Sequence, residues 1–168
     1  MTPPADESRF LALLEAHKGI LYKVAYAYCP RREERPDLVQ EMVVQLWRSF
    51  GRFDGRAKFS TWMYRIAMNV AISFHRRERR RIRDAVPIEE PGIDLAAADR
   101  VMDEASEDLR TLHRLIGRLD EMSRAIVLLH LDGYPHDEIA SIVGISNSNV
   151  GTRIHRIKQR LQREADAS

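Results

Sequence analysis

Residues 134–162, YPHDEIASIVGISNSNVGTRIHRIKQRLQ, decide how this chain is read. Ile139, Ala140 and Val143 face one way on a short helix, and Gly144 permits the left-handed backbone of a tight turn. Ser146 is a natural N-cap for a second helix, in which Val150, Ile154, Ile157 and Leu161 recur at helical spacing as one buried stripe. Away from that stripe lie Ser148, Gly151, Thr152, His155 and Arg156, flanked by Arg153, Lys158 and Arg160. Short polar side chains near a helix N-terminus reach base edges, arginine contacts guanine in a bidentate manner, and flanking cations neutralise phosphates. An amphipathic surface helix would show a similar polar face, but the order short helix, glycine turn, second helix favours a helix-turn-helix.

Working outward, apolar residues recur at three and four with Gly and Pro between the segments, and no period-two run appears, which predicts an all-α fold. The spacing predicts helices over about 8–28, 36–50 and from 60 into HRRERRRIR, then over about 107–117, 121–131, 136–143 and 147–164. Between the two groups, VPIEEPGIDLAAAD breaks the pattern with two prolines and a glycine. Charge reverses there too: residues 1–83 carry 17 cations against 9 anions, 84–108 carry 1 against 9, and 109–168 carry 9 against 7. Two small helical domains, 8–83 and 107–166, joined by a flexible acidic linker over 84–106, account for both observations.

The first domain offers two further surfaces. In the second helix Leu38, Met42, Val43, Leu46 and Phe50 point inward, while Asp37, Gln40, Glu41, Val44 and Arg48 share the opposite face. An exposed valine among acids and amides suits either a solvated surface or docking against a basic, partly apolar helix. In the third helix Met63, Ile66, Ala67, Val70 and Phe74 are expected in the core, with Trp62, Arg65, Asn69, Ser73, Arg76 and Arg80 along another side. An aromatic, an amide and a row of arginines can stack on unpaired bases while holding the backbone. The bland alternative buries Trp62, but five arginines among residues 76–81 favour phosphate binding. The intervening loop GRFDGRAKFS brings Phe53, Lys58 and Phe59, as the wall of a base pocket or as anchors to the core.

Other classes are weak. Cys29 is the only cysteine, so neither a disulfide nor a cysteine zinc site is possible within the chain, and the six histidines have no ligand spacing. No phosphate loop or nucleophile motif appears, so no catalysis, metal or cofactor is expected. No apolar run approaches the ~20 residues of a membrane span, so a cytoplasmic protein without membrane insertion is expected.

Together these pieces resemble the extracytoplasmic-function (ECF) RNA polymerase sigma factors. DLVQE and LWRSFGRFDGRAKFSTWMYRIAMNVAISFHRRERR, within 37–80, resemble that family's second conserved region, and LDEMSRAIVLLHLDGYPHDEIASIVGISNSNVGTRIHRIKQRL, 119–161, its fourth. The resemblance implies a sigma factor that binds core RNA polymerase and directs promoter-specific initiation. Asp37, Gln40, Glu41, Val44 and Arg48 would dock on the largest-subunit clamp helices, with the flap as a second contact. Phe53, Lys58, Trp62, Arg65 and Asn69 would hold the melted non-template strand of the −10 element, with Arg76, Arg77, Arg79 and Arg80 against promoter backbone. Ser146, Ser148, Asn149, Thr152, Arg153, His155 and Arg156 would face the −35 element, with Gly151 standing where the family often has a basic residue. The linker would enter the polymerase RNA channels, and an anti-sigma factor is the further partner implied. The competing reading is an autonomous helix-turn-helix regulator of duplex DNA, which would need neither two nucleic-acid modules nor the surface around Trp62.

Overall fold

The computed structural model describes residues 4–84 and 106–167, and no strand occurs among them. The linker assigned to 84–106 therefore lies outside the described residues, except for its two end positions. The chain divides into two units, Met1–Arg83 and Asp84–Ser168.

The first unit is built on α1 (Pro4–Tyr28), α2 (Arg35–Ser49) and α3 (Phe59–Asp84), with short 3₁₀ turns at Arg32–Glu34 and Phe50–Arg52. Helix α1 starts earlier than its apolar period suggests, because a proline at the first helical position and the acids Asp6 and Glu7 in the first turn suit a helix N-terminus. It stops at Tyr28 because Pro30 disfavours helical backbone at Cys29. The core takes Phe10, Leu21, Val24, Ala25 and Tyr28 from α1, and Leu38, Met42, Leu46 and Phe50 from α2 and the turn after it.

Helix α3 departs from expectation. Met63 and Ala67 are buried, but so are Tyr64, Met68 and Ala71, whereas Ile66, Val70 and Phe74 are only half-buried. Apolar side chains surround most of α3, so their period leaves its rotational phase open and the neighbouring helices decide it.

Cys29 is 1% exposed, and its thiol donates to the Arg31 carbonyl at 3.2 Å. Burial above all, followed by the nearby Glu34 carboxylate, pushes this thiol up to about 11 from its ordinary 9.0. At pH 8 native Cys29 should therefore react with iodoacetamide at least ~100-fold more slowly than a free cysteine, and at the free rate once unfolded. Equal native and free rates would show the thiol to be open.

The second unit comprises α4 (Glu107–Gly117), α5 (Glu121–Leu131), α6 (His136–Val143) and α7 (Asn147–Asp166). Three of these helices begin at a capped residue: Ser106, Asp120 and Ser146 accept from the backbone N–H groups of Leu109, Ser123 and Asn149 at 3.3, 2.7 and 3.2 Å. Helix α5 packs against α4, α6 and α7, and every residue from Ser123 to Leu129 is buried. Within that run lies a charge, Arg124, 5% exposed, whose Nη2 donates to the carbonyls of Gly117 at 2.8 Å and Leu119 at 3.0 Å. It thereby satisfies the end of α4 and fixes the turn into α5.

Candidate nucleic-acid and protein interfaces

Val150, Ile154 and Ile157 seat α7 on the core of the second unit and thereby turn its opposite face to solvent. The turn before it works as the sequence requires. Gly144 has φ +79°, and the N–H groups of Gly144 and Ile145 both donate to the Ala140 carbonyl, at 2.9 and 3.2 Å. Ser148, Asn149, Thr152, His155 and Arg156 are exposed along the free face, while Arg153 is half-buried. The Ser146 hydroxyl is occupied in capping, with Ser148 Oγ 3.3 Å away, and Thr152 donates to the Ser148 carbonyl at 3.1 Å. Ser146 therefore positions the helix end from which its neighbours project.

Three residues beside this helix are not singled out by the sequence, although Asp120 stands at the N-cap position before the helix expected over 121–131. Burial pushes the Asp120 carboxyl up, but the Ser123 N–H and hydroxyl together with Arg153 and Arg160 outweigh that and hold it below its ordinary value. Asp120 thus caps α5 and faces cations of α7. His136 lies beside Gly151, where an added Cβ would sit 3.7 Å from its Nδ1, and its ring centroid is 6.2 Å from that of His130. Burial, then the charges of Lys158 and His136, push His130 below its ordinary value. Among the described residues no group of three or more His, Cys, Asp or Glu side chains comes together to hold a metal ion.

In the first unit the loop after α2 closes an aromatic cage. The Phe53 ring centroid lies 5.2 Å from Trp62, 5.5 Å from Phe59 and 6.2 Å from Phe50, and Trp62 is 5.4 Å from Phe59. Phe50 and Phe59 are buried and Phe53 and Trp62 half-buried, so the loop phenylalanines divide between anchoring and exposure. Gly55, at φ +79°, allows the loop to turn, and the Asp54 carboxylate accepts from the Arg56 N–H at 3.0 Å and faces its Nε at 3.3 Å. Arg52, Lys58, Arg65 and Asn69 are all exposed around or beyond this cage. A half-open aromatic surface with exposed cations next to its rings in sequence can stack an unpaired base while holding its phosphates.

The α2 face is exposed at Asp37, Gln40, Val44 and Arg48, with Glu41 half-buried. Sequence reading kept this face apart from the arginines of α3, but the fold brings them together. Arg77 Nη2 donates to both Glu41 oxygens, at 2.9 and 3.2 Å, and Arg81 Nη2 donates to Glu34 and Glu78, each at 2.8 Å. Glu78 first, then Glu34, raise Arg81 above its ordinary value. Arg76 and Arg80 are exposed on the same stretch of α3.

Comparison with known proteins covers both units. Residues 13–81 match the Sigma-70 region 2 family and residues 109–161 the Sigma-70 region 4 family. The ECF RNA polymerase sigma-E factor of Escherichia coli K12 is 31% identical over 163 residues, which span 92% of this chain and 85% of that protein. The ECF RNA polymerase sigma factor SigW of Bacillus subtilis is 29% identical over 168 residues, 95% of this chain and 90% of SigW. Among solved structures, the fold is similar to CnrH in complex with the cytosolic domain of CnrY, with TM-score 0.70 and 24% identity, covering 96% of this chain and 90% of CnrH. It is similar also to the sigma factor RpoE of Bartonella quintana in complex with the anti-sigma factor NepR, with TM-score 0.68, 24% identity and 94% of each chain covered.

Proposed function

The chain belongs to the ECF RNA polymerase sigma factors and is an alternative sigma factor that directs transcription; from that premise we propose how its residues divide the work. Sigma factors are transcription initiation factors, and in this one the exposed α2 face of Asp37, Gln40, Glu41, Val44 and Arg48 docks on the clamp helices of core polymerase. The cage of Phe53 and Trp62, with Lys58, Arg65 and Asn69, captures the melted −10 strand, and Arg76, Arg77 and Arg80 meet promoter backbone. Ser148, Asn149, Thr152, Arg153, His155 and Arg156 meet the −35 element, on a helix end that the Ser146 cap holds in place. The observation that carries this assignment is the half-open aromatic surface of the first unit, with exposed cations next to its rings in sequence. A regulator that reads duplex DNA alone has no use for such a surface.

The acidic segment 84–106 is assigned to the polymerase RNA channels. Work beside cytoplasmic polymerase fits the absence of any helix, among the described residues, long and apolar enough to cross a membrane. An anti-sigma factor is the further partner proposed, supported by the likeness in fold to RpoE held by NepR.

Run-off transcription with core polymerase on a promoter library tests the division. The wild type should select a family of promoters, and Arg156→Ala should lose about tenfold on them, the scale of one bidentate arginine–guanine contact. Each unit alone offers few contacts, so the free chain should bind duplex promoters weakly. If the free chain protects a promoter as well as the holoenzyme does, the division of labour is wrong.

A further inference from the structure

Over the aromatic cage lies a side chain from a distant part of the first unit. The guanidinium carbon of Arg9, in the second turn of α1, is 5.5 Å from the ring centroid of Phe50 and 5.9 Å from that of Phe53. Both distances fall within the range at which a cation is drawn to a ring face. Arg9 is exposed, and no carboxylate pairs with it among the described residues. A guanidinium lying on two rings keeps its planar fork of N–H donors and its charge, and it has less rotamer freedom left to lose on binding.

Phe50 is closed off, at 6% exposure, but Phe53 and Trp62 are half-open, with ring centroids 5.2 Å apart and an interplanar angle of 44°. Rings at that angle do not stack on each other, and each keeps part of its surface in solvent, where a flat guest can lie. A nucleobase stacked there would carry its carbonyl and ring-nitrogen acceptors at its edge, and the ring faces have no donor to offer them. Arg9 is a donor held at the rim of that surface, and it is not cancelled by an acid as Arg77 and Arg81 are.

We propose that Arg9 is a specificity-determining residue: seated on Phe50 and Phe53, it donates to the acceptor edge of an unpaired base stacked against Phe53 and Trp62. The inference rests on reading the cage as the strand-capturing surface, and it adds α1 to the elements that contact DNA. Guanine, whose O6 and N7 acceptors stand side by side on one edge and match the guanidinium fork, is favoured at the captured position over adenine, whose N7 lies beside an amino donor.

The test uses the holoenzyme and a fluorescent single strand carrying the non-template −10 sequence, beside the same strand made abasic at each position in turn. Arg9→Ala should weaken the intact strand about five- to tenfold, within the range for one lost base contact, with Arg9→Lys in between. On the strand abasic at the captured position, wild type and Arg9→Ala should bind alike. A loss of the same factor on intact and abasic strands would reduce Arg9 to a backbone contact and overturn the proposal. Unchanged binding by Arg9→Ala with a lowered melting temperature would make it a clamp for α1, and overturn it also. Phe53→Ala separates the two levels. If it too leaves binding unchanged, the cage reading fails, whereas a weakened Phe53→Ala beside an unaffected Arg9→Ala sinks the Arg9 assignment alone.

Discussion

Reversing Asp37 and Glu41 to arginine together should cut run-off transcription by about 100-fold and leave the helices intact. Like charges brought face to face at an interface cost several kcal/mol, and about 2.8 kcal/mol is a factor of 100. Asp37 is exposed, and the partner of Glu41 is the exposed Arg77, so neither side chain supports the core beneath α2. Leu38, Met42 and Leu46 keep their burial whatever stands on the outer face. Circular dichroism and thermal melting should thus stay close to wild type while the variant fails to co-purify with core polymerase. Full transcription by a well-folded double variant would remove α2 from the docking surface.

Arg124→Met should destabilise the second unit by about 2–4 kcal/mol, on the order of 10–20 °C in melting temperature for a unit of this size. The substitution roughly preserves volume, so the loss does not come from a cavity. It comes from the part-buried Gly117 carbonyl and the buried Leu119 carbonyl, which lose the charged donor that reaches both. Removing a desolvated charge returns part of that cost, which is why the estimate stays below the sum of two charged hydrogen bonds. Calorimetry of the full chain should show the second unit melting earlier and the first unchanged. A shift under about 1 kcal/mol would mean that water replaces the guanidinium.

The second unit was the more legible in sequence. The bounds of α4, α5 and α6 fall where the period and turn residues put them, and Ser146 caps α7 as its residue type suggests. Local rules suffice there, because capping and glycine turns are decided within about four residues. In the first unit the two-faced apolar pattern of α3 left its phase open, and Tyr64, Met68 and Ala71 entered the core unannounced. The contacts that shape the candidate sites, Arg9 over Phe53 and Arg77 on Glu41, join residues dozens of positions apart. No local period encodes such pairs. A buried arginine inside α5 was equally invisible, because arginine in a helix normally reads as surface.

The arginines after Phe74 look, by formal charge, like a strong magnet for a polyanion. Their structure makes part of that charge an exchange. When Arg77 or Arg81 takes a phosphate, the phosphate competes with Glu41, or with Glu34 and Glu78, for the same guanidinium, so the acids offset part of the gain. A carboxylate displaced from Arg77 is also a charge set free on the α2 face at that same moment. Affinity for arbitrary DNA is thereby held down, and fewer salt ions are expelled on binding than the count of arginines implies. For a protein that must find promoters among a great excess of other DNA, weak retention everywhere else leaves more of it free to search.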